Sequence, residues 1–292
     1  MSDFAHAWTL GDLSVNRIGL GAMRLTGSAA FDLGAPRDRA RSIAVLRRAV
    51  ELGVNHIDTA AFYFSALRSA NELINTALAP YPDGLVIATK VWPARDPSGR
   101  WWWAAPDQIR GQVEENLRQL GRDHLDLVNL RVPPSRRDGS IAEHFAALAA
   151  LRDAGLVRHL GVSNVTPEQL AEAQAIAPVV CVQNPYGIGA SVQEREFVRS
   201  CGEQGIAFVP FYSIAGEGRD HGAPATDHGE VQAVARAHGA SPAQVRLAWT
   251  LRQGPHVLAI PGTGDPRHLE ENMAAADLRL TDGDMERLSR RT

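Results

Sequence analysis

The sequence contains almost no lysine. Of its 30 lysine and arginine residues only Lys90 is a lysine, and the others are all arginines. Arginine is a permanent cation, whereas the lysine amine is compact and its pKa responds to its surroundings. The ordinary explanation of a single lysine is that it lies on the surface and was kept by chance. The residues around Lys90 therefore decide whether it has a chemical role.

Cysteine is nearly as rare, and long apolar runs are missing. Two cysteines, Cys181 and Cys201, exclude a disulfide framework and are typical of reduced thiols in an intracellular protein. No apolar run approaches the roughly 18 residues needed to cross a bilayer, and MSDFAHAWTLGDL at the N-terminus has no secretory signal pattern. A net charge of −3 argues against nucleic acid as the main partner. We expect a cytoplasmic protein with neither membrane nor nucleic-acid partners, and we leave its oligomeric state open.

The glycine and hydrophobic patterns predict repeated strand and helix units. Gly53, Gly121, Gly155 and Gly205 each end an amphipathic segment and precede a short apolar run, as expected for helix ends followed by buried parallel strands. Proline and glutamine follow Thr166 and Ser241 in the order of a helix start. The predicted strands cover residues 18–20, 54–58, 85–90, 125–130, 157–162, 179–182, 206–210 and 257–260.

Eight such units in 292 residues predict an α/β protein with a (β/α)8 TIM barrel. A hairpin of Trp8–Leu10 and Leu13–Val15, turning at Gly11 and Asp12, is expected to cover the bottom of the barrel. We expect one domain over residues 1–292. A doubly wound open sheet is the alternative fold, but no GxGxxG motif follows the first strand.

Polar side chains stand where the predicted strands end, which is where barrel enzymes place their chemistry. Asp58 ends the second strand, Lys90 the third and Arg131 the fourth, while Tyr63 lies five residues beyond Asp58. A phenol has a pKa of about 10, and a nearby ammonium lowers it by stabilising the phenolate. Asp58 would keep Lys90 charged, and Lys90 would tune Tyr63 as a general acid and base.

The motifs at these strand ends resemble the aldo-keto reductase family over most of the chain, from about residue 19 to about residue 272. Each motif is weak when taken singly, but their order along the strands is specific. They are NHIDTAxxY (55–63), TK (89–90), DLxxL (126–130), GVSN (161–164), QNxY (183–186) and IPGT followed by HLEEN (260–272).

This resemblance implies a (β/α)8 barrel that reduces aldehydes or ketones with a nicotinamide cofactor and without a metal. Tyr63 matches the proton donor, and Lys90 and Asp58 match the pair that tunes it. The aromatic under the nicotinamide corresponds to Phe211, or to Tyr212 after a shift of one residue. The other positions that match cofactor-binding residues are Gly21, Ala22, Met23, Ser163, Asn164, Gln183, Thr263, Glu271 and Asn272.

Two positions depart from the family pattern. Arg131 replaces the usual histidine, and a branch with arginine here includes pyridoxal reductase-like proteins. As a fixed cation Arg131 would donate to the carbonyl oxygen or bind an anionic group of the substrate, unless it only pairs with a carboxylate such as Asp58. Gly262 replaces a lysine that many members direct at the 2′-phosphate of the cofactor. Thr263, Arg267 and His268 could still hold that phosphate at a helix N-terminus, so we expect NADPH rather than NADH.

Two further segments allow more than one interpretation. Trp92, Trp101 and Trp102 form a substrate wall or lid, or else, with Trp103, an anchor for the loop or a subunit contact. The stretch 215–230 is a loop that closes over a bound cofactor, or plain disorder. It contains His221 and His228, but a histidine in a loop is far more often solvated than metal-bound, so we predict no metal site.

Two other functions remain open. Lys90 at a strand end also suits a Schiff-base aldolase, in which the amine is the nucleophile. The protein could instead keep its cofactor as a redox sensor and turn over slowly.

Overall fold

The computed structural model describes residues 7–27, 36–214 and 229–289. The strands are β1 (Ala7–Leu10), β2 (Leu13–Asn16), β3 (Leu20–Gly21), β4 (His56–Asp58), β5 (Val86–Val91), β6 (Pro93–Arg95), β7 (Trp101–Trp103), β8 (Leu125–Arg131), β9 (Val157–Ser163), β10 (Cys181–Gln183) and β11 (Ala207–Phe208). The helices are α1 (Arg39–Glu51), α2 (Ala70–Leu78), α3 (Ile109–Leu120), α4 (Ala142–Asp153), α5 (Pro167–Gln174), α6 (Val192–Glu203), α7 (Gly229–His238), α8 (Pro242–Leu251), α9 (Pro266–Ala274) and α10 (Asp282–Ser289).

Seven parallel strands form a continuous sheet that closes on itself. They lie in the order β3, β4, β5, β8, β9, β10 and β11. The eighth predicted strand joins both edges, since Val257 bridges to Phe208 on one side and Ala259 bridges to Ile18 on the other. Helices alternate with these strands along the chain, so the predicted (β/α)8 barrel is confirmed.

The N-terminal hairpin closes one end of the barrel, as predicted. β1 and β2 pair as antiparallel strands, and Gly11 between them has a φ of 68°, which glycine adopts without strain. Leu10 and Val15 are fully buried in a cluster with Val86 and Cys181, which stand at the starts of β5 and β10. The carboxyl ends of the strands, at the other end, are therefore free to form a site.

A second hairpin, which we did not predict, follows the third barrel strand. β6 and β7 pair as antiparallel strands, where the sequence indicated only a loop. The tryptophan run forms β7, and its three side chains are half-exposed. Bulky aromatics favour extended backbone, and Gly99, with a φ of 88°, allows the chain to reverse.

Some expectations fall outside the described residues. The loop at 215–230, with His221 and His228, is described only from Gly229 onward, and the first six residues are not described. The single domain over 1–292 thus stays a prediction. Within 7–27, 36–214 and 229–289, no helix combines the length and the hydrophobicity that a membrane span requires.

Candidate active site

Asp58 and Lys90 meet at the carboxyl ends of β4 and β5. These strands are parallel neighbours with Asp58 beside Ala88, which brings Lys90 to the same edge. The Lys90 ammonium lies 2.7 Å from each carboxylate oxygen of Asp58 and 3.0 Å from the Thr59 carbonyl oxygen. Only 2% of Lys90 and 4% of Asp58 is exposed. A buried ion pair persists when its donors and acceptors are hydrogen-bonded in this way, so the predicted pair is formed.

Gln183 adds a third side chain to the pair, and one of its own atoms has no hydrogen-bond partner. Its amide nitrogen donates to Asp58 at 2.8 Å, whereas its buried Oε1 has no hydrogen-bond partner. An unsatisfied buried acceptor costs about 1–3 kcal/mol. The site therefore offers a hydrogen-bond acceptor to a ligand that carries an N–H group.

Tyr63 lies beside this pair at the mouth of the barrel. It is 7% exposed, and the Lys90 ammonium is 4.9 Å from the centroid of its ring. Burial raises the pKa of the Tyr63 phenol, and the charge of Lys90 and its hydrogen bond lower that pKa without cancelling the effect of burial. The expected influence of Lys90 is present, but desolvation is larger, so the phenol keeps its proton at neutral pH.

Arg131 ends β8, the strand next to β5, which carries Lys90. Its guanidinium donates to the Ser163 hydroxyl at 3.2 Å and lies 4.9 Å from the centroid of the Phe211 ring. The alternative that Arg131 pairs with a carboxylate is not what the structure shows, because none of the ion pairs in the described part of the chain involves Arg131. Its charge also acts on Tyr63 and lowers the pKa of that phenol.

The contact with Arg131 places Phe211 at the mouth. Tyr212 packs edge-on against Phe211 at 4.9 Å between centroids and has a φ of 65°. Asn164 also has a positive φ, of 61°, and its side-chain amide donates to the Val132 carbonyl at 2.8 Å. Asn164 therefore shapes its loop, and the assignment of Phe211 as the aromatic that stacks on a cofactor ring stays a prediction.

The first loop passes very close to the eighth strand. Gly21 bridges to Gly262, and a Cβ at Gly21 would lie 2.8 Å from the Ile260 carbonyl oxygen. Ala22 is fully buried and Met23 is half-buried in the short helical turn that follows. Glycine at position 21 therefore permits the approach that brings this loop to the rim.

The N-terminus of α9 presents the remaining predicted cofactor-binding residues. Asp265 caps the helix by accepting from the Arg267 amide nitrogen. Arg267 and His268 are exposed, so both side chains are accessible beside the helix N-terminus. The other three residues differ in burial: Thr263 and Asn272 are buried, and Glu271 is exposed.

Further arginines at this helix were not predicted. Arg41 donates to Asp265 at 2.6 Å, and a Cβ at Gly264 would lie 2.3 Å from the Nε atom of Arg37. Arg37 precedes α1 and Arg41 lies in its first turn, and both are far from α9 in sequence. Their clustering with other arginines in PRDRARS was the only signal, and it resembles an ordinary solvated helix face.

The three predicted tryptophans differ in their surroundings. Trp101 lies 5.5 Å from Phe62, and Phe62 lies 5.1 Å from Tyr63, so Trp101 is connected to the mouth. Trp92 is buried and stacks on His144 at 3.9 Å. Trp102 is 40% exposed and points to the face of β7 opposite Trp101, as strand geometry requires. A role in substrate binding stays a prediction for all three.

No metal cluster was found among the described residues. In those parts of the chain, histidine, cysteine, aspartate and glutamate side chains do not gather in groups of three or more that could hold an ion.

Comparison with known sequences identifies relatives over nearly the whole chain. The family model described as aldo/keto reductase family matches residues 17–290. Pyridoxine 4-dehydrogenase of Escherichia coli is 44% identical over 283 residues, which cover 95% of each chain. An uncharacterized oxidoreductase of Schizosaccharomyces pombe is 38% identical over 96% of this chain and 88% of its own.

Comparison with solved structures agrees. The crystal structure of an aldo-keto reductase from Klebsiella pneumoniae in complex with NADPH has a TM-score of 0.79 and 27% identity, and the match covers 97% of this chain and 93% of that one.

Proposed function

Because the chain belongs to the aldo/keto reductase family and is therefore an NAD(P)H-dependent oxidoreductase, we propose that it reduces an aldehyde with NADPH and that Tyr63 supplies the proton. The observation that carries this proposal is the buried contact of Tyr63, Lys90 and Asp58 at the end of the barrel. Such a site can deliver a proton to an oxygen and stabilise the phenolate that remains.

The proposed substrate class is an aromatic aldehyde such as pyridoxal. The name of the relative with 44% identity describes oxidation of pyridoxine at its 4 position, and the reverse reaction reduces an aldehyde. Phe62 and Trp101 adjoin Tyr63, and aromatic side chains suit a flat aromatic ring.

The residues at the mouth and at α9 fit NADPH. The unsatisfied Oε1 of Gln183 suits the amide nitrogen of a nicotinamide carboxamide, and the ring of Phe211 suits stacking on the nicotinamide. Arg267 and His268 at the start of α9 suit the 2′-phosphate, which favours NADPH over NADH. When bound, NADPH supplies the hydride that reduces the carbonyl carbon.

The proposed proton transfer follows from the charges around Tyr63. Burial raises the pKa of the phenol, so the hydroxyl is protonated and can donate to the carbonyl oxygen as negative charge develops there. Lys90 stabilises the phenolate that forms, and Asp58 holds Lys90 in place through two hydrogen bonds. Arg131, whose charge also acts on Tyr63, stabilises the developing charge from the end of the neighbouring strand β8.

Replacement of Tyr63 by phenylalanine tests this proposal. Tyr63→Phe removes the transferable proton but keeps the ring, so we expect pyridoxal reduction to fall at least about 100-fold and the NADPH dissociation constant to stay within about twofold. Tyr186→Phe is the matched control, because Tyr186 is also buried but donates to Gln253 outside the site. Undiminished turnover in Tyr63→Phe would show that Tyr63 is not the proton donor.

The contacts of Lys90 count against the Schiff-base alternative. Its amine nitrogen donates to both oxygens of Asp58 and to the Thr59 carbonyl, so the nitrogen is already engaged, whereas a Schiff base needs an amine that is free to attack a carbonyl carbon. Borohydride treatment with pyridoxal should leave Lys90 unmodified, as judged by peptide mass mapping. Labelling at Lys90 would support the aldolase instead.

A slow redox sensor makes a different prediction about rates. We expect repeated turnover with pyridoxal in excess over the protein. A single rapid oxidation of bound NADPH followed by very slow exchange of the cofactor would favour the sensor.

A further inference from the structure

Arg95 lies buried between the β6–β7 hairpin and the loop that carries Tyr63. It is the last residue of β6 and only 7% exposed. A buried guanidinium is retained only where hydrogen bonds and neighbouring groups compensate its lost hydration. The groups that surround Arg95 therefore indicate what it holds in place.

The Arg95 guanidinium binds the backbone on both sides of Tyr63. Its Nη1 atom donates to the Phe62 carbonyl at 3.3 Å and to the Phe64 carbonyl at 3.0 Å. Its Nε atom donates to the Gly99 carbonyl at 3.3 Å, in the turn of its own hairpin. One side chain thus connects the hairpin to the two residues that flank Tyr63.

Aromatic rings fix the guanidinium in that position. It lies 4.5 Å from the centroid of the Phe64 ring and 5.6 Å from that of Trp101. Arginine is suited to such stacking because its charge is planar and delocalised. The same contacts join Trp101 of β7 to the Tyr63 loop.

We propose that Arg95 is a positioning residue that holds the Tyr63 hydroxyl in its proton-donating position. This inference rests on the proposed role of Tyr63. The backbone of Tyr63 makes two hydrogen bonds that do not involve Arg95, since its amide donates to the Ala60 carbonyl and its carbonyl accepts from the Ala70 amide. Arg95 adds the two flanking carbonyls and so restricts rotation of the segment that aims the ring. A misplacement of about 1 Å can reduce a rate by about 100-fold.

Within the described part of the chain, the charged groups that shift the pKa of Tyr63 are Lys90, Asp58 and Arg131, and Arg95 is not among them. We therefore expect Arg95 to affect the rate of reduction through geometry and to leave the pH dependence of that rate unchanged.

Substitution of Arg95 by glutamine and by lysine, with a matched arginine as control, tests the proposal. Arg17 is the control, because it also binds backbone carbonyls, those of Leu251, Gly254 and Val257, but away from the mouth. Single-turnover reduction of pyridoxal, the NADPH dissociation constant and the melting temperature are measured for Arg95→Gln, Arg95→Lys and Arg17→Gln. Each assay is run at a temperature where the variant is folded by circular dichroism.

We expect Arg95→Gln to lower the single-turnover rate about 10- to 100-fold, with NADPH affinity within about twofold and an unchanged pH profile. Arg95→Lys keeps a cationic donor but not the planar group, so it should restore part of the rate. Arg17→Gln should lower the melting temperature and leave the rate unchanged. A rate in Arg95→Lys and Arg95→Gln equal to that of Arg17→Gln would overturn the positioning role.

A double variant separates this inference from the proposed function. If Arg95 acts through the Tyr63 hydroxyl, adding Arg95→Gln to Tyr63→Phe should change the residual rate by less than about twofold. A further loss as large as in the single variant would show that Arg95 acts elsewhere. Full activity of Tyr63→Phe would instead contradict the role of Tyr63 itself.

Discussion

Arg131 shows how one side chain can change the chemistry of a site without changing its shape. The resemblance to the family leads one to expect a histidine at this position, which could exchange a proton near neutral pH. Arginine keeps its charge throughout that range. Here the guanidinium contacts Ser163 and Phe211, so the end of the strand next to that of Lys90 carries a fixed cation.

Replacement of Arg131 by histidine should make the reaction pH-dependent. An unperturbed imidazole has a pKa of about 6.5, so Arg131→His would supply a cation only at more acidic pH. We expect its kcat/KM for pyridoxal to fall as the pH rises from about 5.5 to about 8, by roughly tenfold more than that of the unmodified protein. Steady-state kinetics at these two pH values measures the difference.

The uncharged variant Arg131→Met is the control for this prediction. It should be poorly active at both pH values, because it lacks a cation throughout. A profile of Arg131→His that runs parallel to that of the unmodified protein would mean that the charge at this position does not take part.

The sequence predicted that Asp58, Lys90 and Tyr63 meet better than it predicted the pKa of the phenol. Asp58, Lys90 and Tyr63 could be placed together because parallel strands end at one edge. The balance of effects on the Tyr63 pKa could not be foreseen, because desolvation depends on the packing around the ring. The contacts of Arg95 were not predicted either, because its acceptors are backbone carbonyls, and residue types do not indicate which carbonyls a side chain will meet.

At the scale of elements, the two hairpins occupy opposite ends of the barrel and serve different purposes. β1–β2 fills the end where the strands begin, with Leu10 and Val15 in the cluster inside the barrel. β6–β7 stands at the end where the strands finish, and Trp101 and Arg95 connect it to the Tyr63 loop. Stability and activity should therefore respond separately to changes in the two hairpins.

Truncation of Leu10 tests this separation. Leu10 is fully buried, so Leu10→Ala should lower the free energy of unfolding by about 2–5 kcal/mol. Its distance from the mouth predicts an unchanged kcat for pyridoxal and an unchanged NADPH dissociation constant below the melting transition. Urea unfolding and steady-state kinetics measure the two effects.

Leu67→Ala makes the matched comparison for stability, because Leu67 is 69% exposed. It should change the free energy of unfolding by less than about 0.5 kcal/mol. A marked loss of NADPH affinity in folded Leu10→Ala would show that the two ends of the barrel are coupled.

The elements were predictable wherever local pattern and fold agreed. Thr166 and Ser241 each begin a helix with the hydroxyl and glutamine contacts that their sequence indicated. The β6–β7 hairpin was missed because each of its strands has three residues. Strands of that length are too short to show the alternation of apolar and polar side chains. Its pairing also depends on Arg95 and Trp101 packing against the Tyr63 loop, and such contacts cannot be deduced from local pattern.

At the scale of the whole molecule, three buried or half-buried histidines make the fold sensitive to acid. Burial lowers the pKa values of His56, His144 and His256, that of His56 to about 4. An unfolded chain binds a proton at each of them near pH 6.5, whereas the folded chain resists protonation. Stability is therefore complete above pH 6.5 and is lost as the pH falls from there toward 4.

His56 should account for a measurable part of this loss. It is 1% exposed, and its shift from 6.5 to about 4 corresponds to about 2 kcal/mol of free energy of unfolding lost between pH 7 and pH 5. Because the side chain is buried, His56→Gln should be less stable than the unmodified protein at pH 7. Because glutamine cannot be protonated, the variant should lose about 2 kcal/mol less on acidification. Urea unfolding at the two pH values for both proteins measures the difference. Equal losses in the two proteins would mean that His56 is protonated alike in the folded and unfolded chains, and that acid sensitivity arises elsewhere in the molecule.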